Sequence, residues 1–177
     1  MTEQHVAPTF RDALASAIPN LRAFAISLCG NLHQANDLVQ ETLLKAWDNR
    51  TSFIPNSNFK AWLFTILRNT YFSELRKSRR EVADIDGEEA AKLVTLPTQM
   101  AHLELEEFRH ALARLSTDQR EALLLVGAEG FSYEEAAAVT GCAVGTVKSR
   151  VNRARARLAA QMGYSTDQTS EAFSVSI

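Results

Sequence analysis

Lys148, Arg150, Arg153, Arg155 and Arg157 place five cations in the stretch GTVKSRVNRARARL, residues 145–158, with no acid among them. The chemistry open to such a set is non-covalent: ammonium and guanidinium groups hold phosphate oxygens, and those placed deepest in a groove meet base edges. At about 100° per residue, Val144, Val147, Val151, Ala154 and Leu158 share one stripe, while Lys148, Ser149, Asn152 and Arg153 face away from it. One face packs and the other can touch an anion. Upstream, Ser132 precedes Glu135 at capping-box spacing, an Ala-rich helix follows, and Thr140-Gly141-Cys142 forms a turn. Helix, short glycine turn and basic helix make a helix-turn-helix, whose second helix enters the major groove of DNA. A solvated basic face on an ordinary amphipathic helix is the plainer reading, and the capped helix and turn in front of it argue against that.

A second set mixes rings with cations. Phe53, Phe59, Trp62, Tyr71 and Phe72 interleave with Lys60, Arg68, Asn69, Arg76 and Lys77. Unstacked bases can sit on such rings or in the pockets between them while cations follow the backbone of a single strand. Periodicity assigns most of these rings to a core. Enzyme chemistry finds less to work with. The four histidines are dispersed, no glycine-rich phosphate loop occurs, and no carboxylate pair is framed for acid–base work. His33 follows Cys29 by four residues, a spacing a metal could use, but Gly30 and Asn31 break the helix between them and no further ligand clusters nearby. No metal or other cofactor is expected.

The elements that must position these groups are all helical. The pattern Phe10, Ala13, Leu14, Ala17, then Leu21, Phe24, Ala25, Leu28 predicts two short helices, with Pro8 at the first helical position, Pro19 as an interruption and Gly30 as the end. The next helix, over 33–49, turns Ala35, Leu38, Val39, Thr42, Leu43, Ala46 and Trp47 inward and Asp37, Gln40, Glu41 and Lys45 outward. The loop TSFIPNSN, 51–58, ends it, and a long helix over 59–80 carries Trp62, Leu63, Ile66, Leu67 and Phe72 on its apolar face. Helices resume over 103–115 and from a capping box at Ser116 and Gln119.

The net charge of −2 over 177 residues argues against nucleic acid only until its distribution is seen. Residues 68–80 hold five bases against Glu74, whereas 81–107 hold eight acids against Lys92 alone. The acidic stretch, with Gly87 and Pro97, has the composition of a linker, and the Ser- and Thr-rich segment 164–177 that of a frayed tail. Two distant cysteines do not make a disulfide framework. With neither an N-terminal apolar run nor a membrane-length one, the expected location is the cytoplasm.

Three motifs, DLVQETLLKAW (37–47), FKAWLFTILRNTYFSELRKSRR (59–80) and SYEEAAAVTGCAVGTVKSRVNRARARL (132–158), resemble regions 2 and 4 of the extracytoplasmic-function (ECF) sigma factors of bacterial RNA polymerase. Together with DGEEAAKLVTLPTQMAHLELEEFRHAL and DQREALLLVGAEGFSYEEAA, they resemble the EcfG-type general stress sigma factors of alphaproteobacteria. The resemblance implies an all-α fold of two small domains: a region 2 bundle over 1–80 and a region 4 helix-turn-helix over 103–163, joined by the acidic linker 81–102. It implies binding to polymerase core at the β′ clamp and β flap, with Asp37, Gln40, Glu41 and Lys45 on the clamp. Phe53, Asn56, Asn58, Lys60, Asn69, Arg76 and Lys77 would meet the −10 element, the loop 51–58 capturing a flipped base. Thr146, Lys148, Ser149, Arg150, Asn152, Arg153 and Arg155 would meet the −35 element.

A NepR-type anti-sigma factor is the implied regulator, with a PhyR-type response regulator releasing it and no membrane partner. Two other readings stand beside this one. A stand-alone helix-turn-helix regulator does not explain the 37–47 face. A sigma-like module that titrates an anti-sigma factor without initiating transcription does not need the full basic set.

Overall fold

The computed structural model describes residues 9–82 and 101–163, and among these every regular element is helical. The acidic linker, apart from its helical ends, and the tail assigned to 164–177 lie outside the described residues. So does Pro8.

Helix α1, Phe10–Cys29, starts two residues later than the proline suggests, because Thr9 supplies a full capping box with Asp12. It runs through Pro19 without a break, which corrects the expectation of two short helices. A proline inside a helix removes one N–H and crowds the carbonyl four residues before it. Here that carbonyl belongs to Ala15, and both residues are exposed, so water can take the freed acceptor. The buried stripe of Leu14, Leu21, Phe24, Ala25 and Leu28 continues on both sides of the proline and holds the two halves in line. Gly30, with φ of 65°, closes the helix in the left-handed conformation that costs glycine least.

Asn31 caps α2, Leu32–Asp48, whose buried face carries Ala35, Leu38, Val39, Thr42 and Ala46. Trp47 does not join them. It is 46% exposed, its ring lying 6.2 Å from Phe10 and its face 5.3 Å from Arg50. Seven residues after Gln40, it shares the outward face of the helix, and periodicity wins over the size of the ring. A short 3-10 turn, Arg50–Ser52, leads into the loop. Helix α3, Phe59–Val82, packs on α2 and completes the first lobe.

The second lobe holds α4 (Ala101–Ala113), α5 (Thr117–Gly127), α6 (Tyr133–Thr140) and α7 (Val144–Gln161). Helix α7 packs against α4, α5 and α6 through Val147, Val151, Ala154, Leu158 and Ala159. Ser116 caps α5 by accepting from the Gln119 N–H at 3.4 Å. Ser132 and Glu135 form the complete box at α6, and Gly141, at φ 67°, makes the turn.

The two lobes pack against each other, α3 on α6 and α1 on α5, and share one continuous buried cluster. At its centre Phe64 lies between Phe24, at 5.0 Å, and Phe131 of the α5–α6 turn, at 5.3 Å and nearly edge-on. Burying a phenylalanine is worth about 1.5 to 3 kcal/mol, so this ring stack is a substantial part of what joins the lobes.

Candidate nucleic-acid interface

Helix α7 can present its basic face because its other face is consumed by packing. Lys148, Asn152 and Arg153 are exposed at its N-terminal half, with Thr146 exposed one turn earlier and Ser149 half-buried. Lys148 lies 5.5 Å over the ring of Tyr133, the first residue of α6, which limits where its ammonium can go. Between the starts of α5 and α7 runs an open groove lined by Gln119, Gly145, Thr146, Ser149 and Arg153 among others. The position fits the entry of a recognition helix into a major groove, N-terminal residues first.

Two members of the expected −35 set are placed differently. Arg150 turns inward, its Nη2 2.6 Å from Asp118 Oδ2 and its Nη1 3.6 Å from Cys142 Sγ. A carboxylate on α5 and the sulfur of the turn hold it, so in this arrangement it ties the recognition helix to its support. Arg155 is half-buried. Arg157, further along, is exposed and donates to Gln119 Oε1 at 3.2 Å.

In the first lobe the loop 51–58 is anchored by one ring. Phe53 packs at 5.2 Å on Phe59 and 5.4 Å on Trp62, both of which meet Phe10. This leaves Ile54 71% exposed and Asn56 outward with a positive φ of 68°, a conformation asparagine tolerates better than most residues. Asn58 caps α3, its Oδ1 accepting from the Ala61 N–H at 2.9 Å. Its amide nitrogen donates to Glu135 Oε1 at 2.6 Å, across to the second lobe. Lys60 also crosses, with Nζ 2.8 Å from Glu129 Oε2 and 2.7 Å from the Glu129 carbonyl, beside the rings of Phe64 and Phe131. Asn69, Arg76 and Lys77 are exposed on α3, and Ser73, Arg76, Lys77 and Arg80 line a shallow groove there.

On α2, Asp37 and Gln40 are exposed and Glu41 and Lys45 half-buried. Glu41 pairs with Lys45 at 2.6 Å, and Lys45 also donates to Thr70 Oγ1 at 3.1 Å. That lysine, together with the neighbouring Glu74 carboxyl, holds the Glu41 carboxyl below its usual range, while partial burial and Glu41 raise Glu74. Asp37 Oδ2 lies 2.9 Å from His33 Nδ1, placed to accept from the ring N–H, so this histidine faces a carboxylate on its own helix. Leu44, 60% exposed on the same face, was not singled out in the sequence; a large apolar residue at an outward position is the signal that marks it.

Sequence reasoning also missed the charged groups of the seam. Arg68 Nε meets Glu121 Oε1 at 2.7 Å, and Glu121 is fully buried. Burial raises its carboxyl pKa to about 7, against the opposing pull of the Arg68 guanidinium. Arg120, its own pKa lowered by burial, donates through Nη2 to the Leu28 carbonyl at 3.4 Å, which also accepts from Tyr71 Oη at 3.2 Å. Helix α1 has no base in its last turn, and Arg120 from the other lobe supplies one.

The chain matches the family models for Sigma-70 region 2, over residues 14–81, and Sigma-70 region 4, over residues 105–158. It is 64% identical over 152 residues to the ECF RNA polymerase sigma factor EcfG of Rhodopseudomonas palustris (strain TIE-1), covering 86% of this chain and 84% of that protein. With the ECF RNA polymerase sigma factor SigC of Mycobacterium tuberculosis (strain CDC 1551 / Oshkosh) it shares 38% over 136 residues, 76% of this chain and 74% of the other. Its structure is similar to that of the sigma factor RpoE co-crystallised with the anti-sigma factor NepR from Bartonella quintana, with a TM-score of 0.81 and 54% identity over 87% of this chain and 96% of that one. Two sigma-70 regions in order, and close identity across most of a curated relative, make this chain a member of the ECF family of RNA polymerase sigma factors, of the EcfG type.

Proposed function

We propose that this sigma factor brings RNA polymerase core to the promoters of general stress genes through three surfaces, and that an anti-sigma factor of the NepR type holds it inactive. The observation that carries this reading is the presence, in one chain, of an outward basic face on α7 and an outward acidic and apolar face on α2. Lys148, Ser149, Asn152 and Arg153, with Thr146, read the −35 element, while Arg155 lies on the flank of that set. Asn69, Arg76 and Lys77 meet −10 DNA, and the loop 51–58 takes a base that has left the stack. Asp37, Gln40, Glu41 and Lys45 engage the β′ clamp coiled coil, where acidic and amide groups complement a basic partner.

The NepR-type regulator is supported by the likeness, over both lobes, to a sigma factor solved with NepR. Such a partner masks polymerase and DNA surfaces by exclusion, and a PhyR-type regulator releases it by competing for it. A module that only titrates an anti-sigma factor has no use for the outward Lys148, Asn152 and Arg153. Size-exclusion chromatography of the chain with core polymerase and a NepR-type protein tests the regulatory reading. Binding should be mutually exclusive, and a ternary complex that still initiates transcription would rule the masking out.

A further inference from the structure

The first turn of α5 and one edge of α7 are tied twice. Arg150 Nη2 donates to Asp118 Oδ2 at 2.6 Å, and Arg157 Nη1 donates to Gln119 Oε1 at 3.2 Å. Seven residues apart, the two arginines lie two turns from each other on the same edge of the helix, so the pair of ties sets both its tilt and its rotation about its own axis. They differ in charge. Gln119 is neutral and leaves the exposed Arg157 cation uncompensated, whereas the Asp118 carboxylate offsets Arg150, whose side chain is only 24% exposed.

The other arm of the Arg150 guanidinium is occupied too. The Thr140 hydroxyl donates to the Ala136 carbonyl at 2.7 Å, which leaves its oxygen to accept from the Cys142 thiol at 3.1 Å. The Cys142 sulfur is then free to accept from Arg150 Nη1 at 3.6 Å. One side chain of α7 thereby reaches α5 directly and α6 through the turn. Asp118 and Arg150 line the same open groove as Thr146, Ser149 and Arg153.

We propose that Asp118 is a positioning residue for −35 recognition: through Arg150 it fixes the attitude of α7 that carries Lys148, Ser149, Asn152 and Arg153 to base edges, and touches no base itself. A hydrogen bond to a base edge weakens steeply once its direction is lost, whereas attraction to a phosphate falls slowly with distance. A small rotation of α7 therefore costs discrimination between sequences before it costs binding as such. The Asp118 side chain is half-exposed, so the pair adds little to stability, and its removal leaves the helices folded. The inference rests on the −35 reading of α7, and its test separates the two.

The test uses the full chain, the duplex that the wild type selects from a randomised pool, and a scrambled duplex of the same composition, with fluorescence anisotropy at several salt concentrations. A wild type that selects no sequence overturns the −35 reading itself, before Asp118 is changed. Asp118→Ala should lower the ratio of the two affinities about tenfold, near the low end of what one good base contact discriminates. Arg150→Ala should lower it equally and leave the salt slope where it is, while Arg157→Ala lowers the slope by about one unit. The double variant Asp118→Ala/Arg150→Ala should lose no more discrimination than either single change, since both break one contact.

Arg150→Lys supplies the rescue. An ammonium can replace the single Nη2 contact to Asp118, so this variant should keep the ratio to within about threefold of the wild type. Binding to the scrambled duplex controls for folding of α7, and its loss in Asp118→Ala would make the pair a scaffold contact alone and overturn the positioning role. The proposal is equally overturned by an unchanged ratio in Asp118→Ala, by losses that add in the double variant, or by Arg150→Lys as poor as Arg150→Ala. A salt slope lowered by about one unit in Arg150→Ala overturns it as well, since Arg150 would then be a phosphate contact.

Discussion

Glu121→Gln is expected to change how the stability of the protein depends on pH. The carboxyl is fully buried with Arg68 at 2.7 Å, and its pKa in the folded chain is raised from 4.5 to about 7, burial being the larger cause. Between those two values the folded chain keeps the proton and the unfolded chain has lost it, so the folded state binds more protons and stability falls as pH rises. The contribution is fully present below about pH 4.5 and gone above about pH 7. At 1.36 kcal/mol per pH unit the full span is about 3 kcal/mol. Other carboxylates, such as Asp12 and Glu135 with their lowered values, push the opposite way, so the informative quantity is a difference. Urea unfolding of the wild type and of Glu121→Gln, from pH 4.5 to 7.5, should show the variant gaining about 3 kcal/mol relative to the wild type as pH rises. A difference that does not vary with pH would mean that Glu121 ionises normally, and the buried-pair reasoning would fail.

Other outcomes follow from the same structure. Arg153→Ala should cost about 1 to 3 kcal/mol of affinity for the correct −35 duplex and little for a scrambled one, while Arg157→Ala should weaken both equally and lower the salt slope by about one unit, as band-shift titrations would show. Leu44→Asp should weaken association with core by at least tenfold in a pull-down and leave far-UV circular dichroism unchanged, since the side chain is 60% exposed. Ser132→Ala removes the cap of α6 and should cost about 1 kcal/mol in thermal unfolding, with −35 binding falling as the helix-turn-helix frays. Asn69→Ala should spare closed −35 duplex and impair open-complex formation, and a pre-melted −10 bubble should rescue it only in part; full rescue would mean that it assists melting without holding a base.

What the sequence made legible is local. The α7 stripe, the Ser132–Glu135 box and the Gly141 turn are set by spacing within a few residues, and each is where periodicity puts it. Pro19 misled because a local breaker was weighed without the buried stripe that runs past it. Trp47 misled because its bulk outweighed its angular position. The seam had no local signature at all: Asn58 meets Glu135 across 77 residues and Lys60 meets Glu129 across 69, and in the sequence each is an ordinary polar residue on a helix or loop. Arg150 is a related case, since a base on an exposed-looking helix gives no hint that Asp118 will hold it from another element. Buried charge at Glu121 was equally hidden, because nothing in the run EALLLV separates a glutamate that faces water from one that faces Arg68.

If this chain gives polymerase its choice of promoter, mapping of transcript 5′ ends will show it. Core polymerase would be incubated with genomic DNA of the source bacterium, with and without the purified chain. A set of new start sites that share two upstream elements at fixed spacing should appear with the chain, and be lost when Arg153 and Asn69 are both replaced by alanine. Contradiction would be a chain that binds core and DNA yet adds no start site to those of core alone.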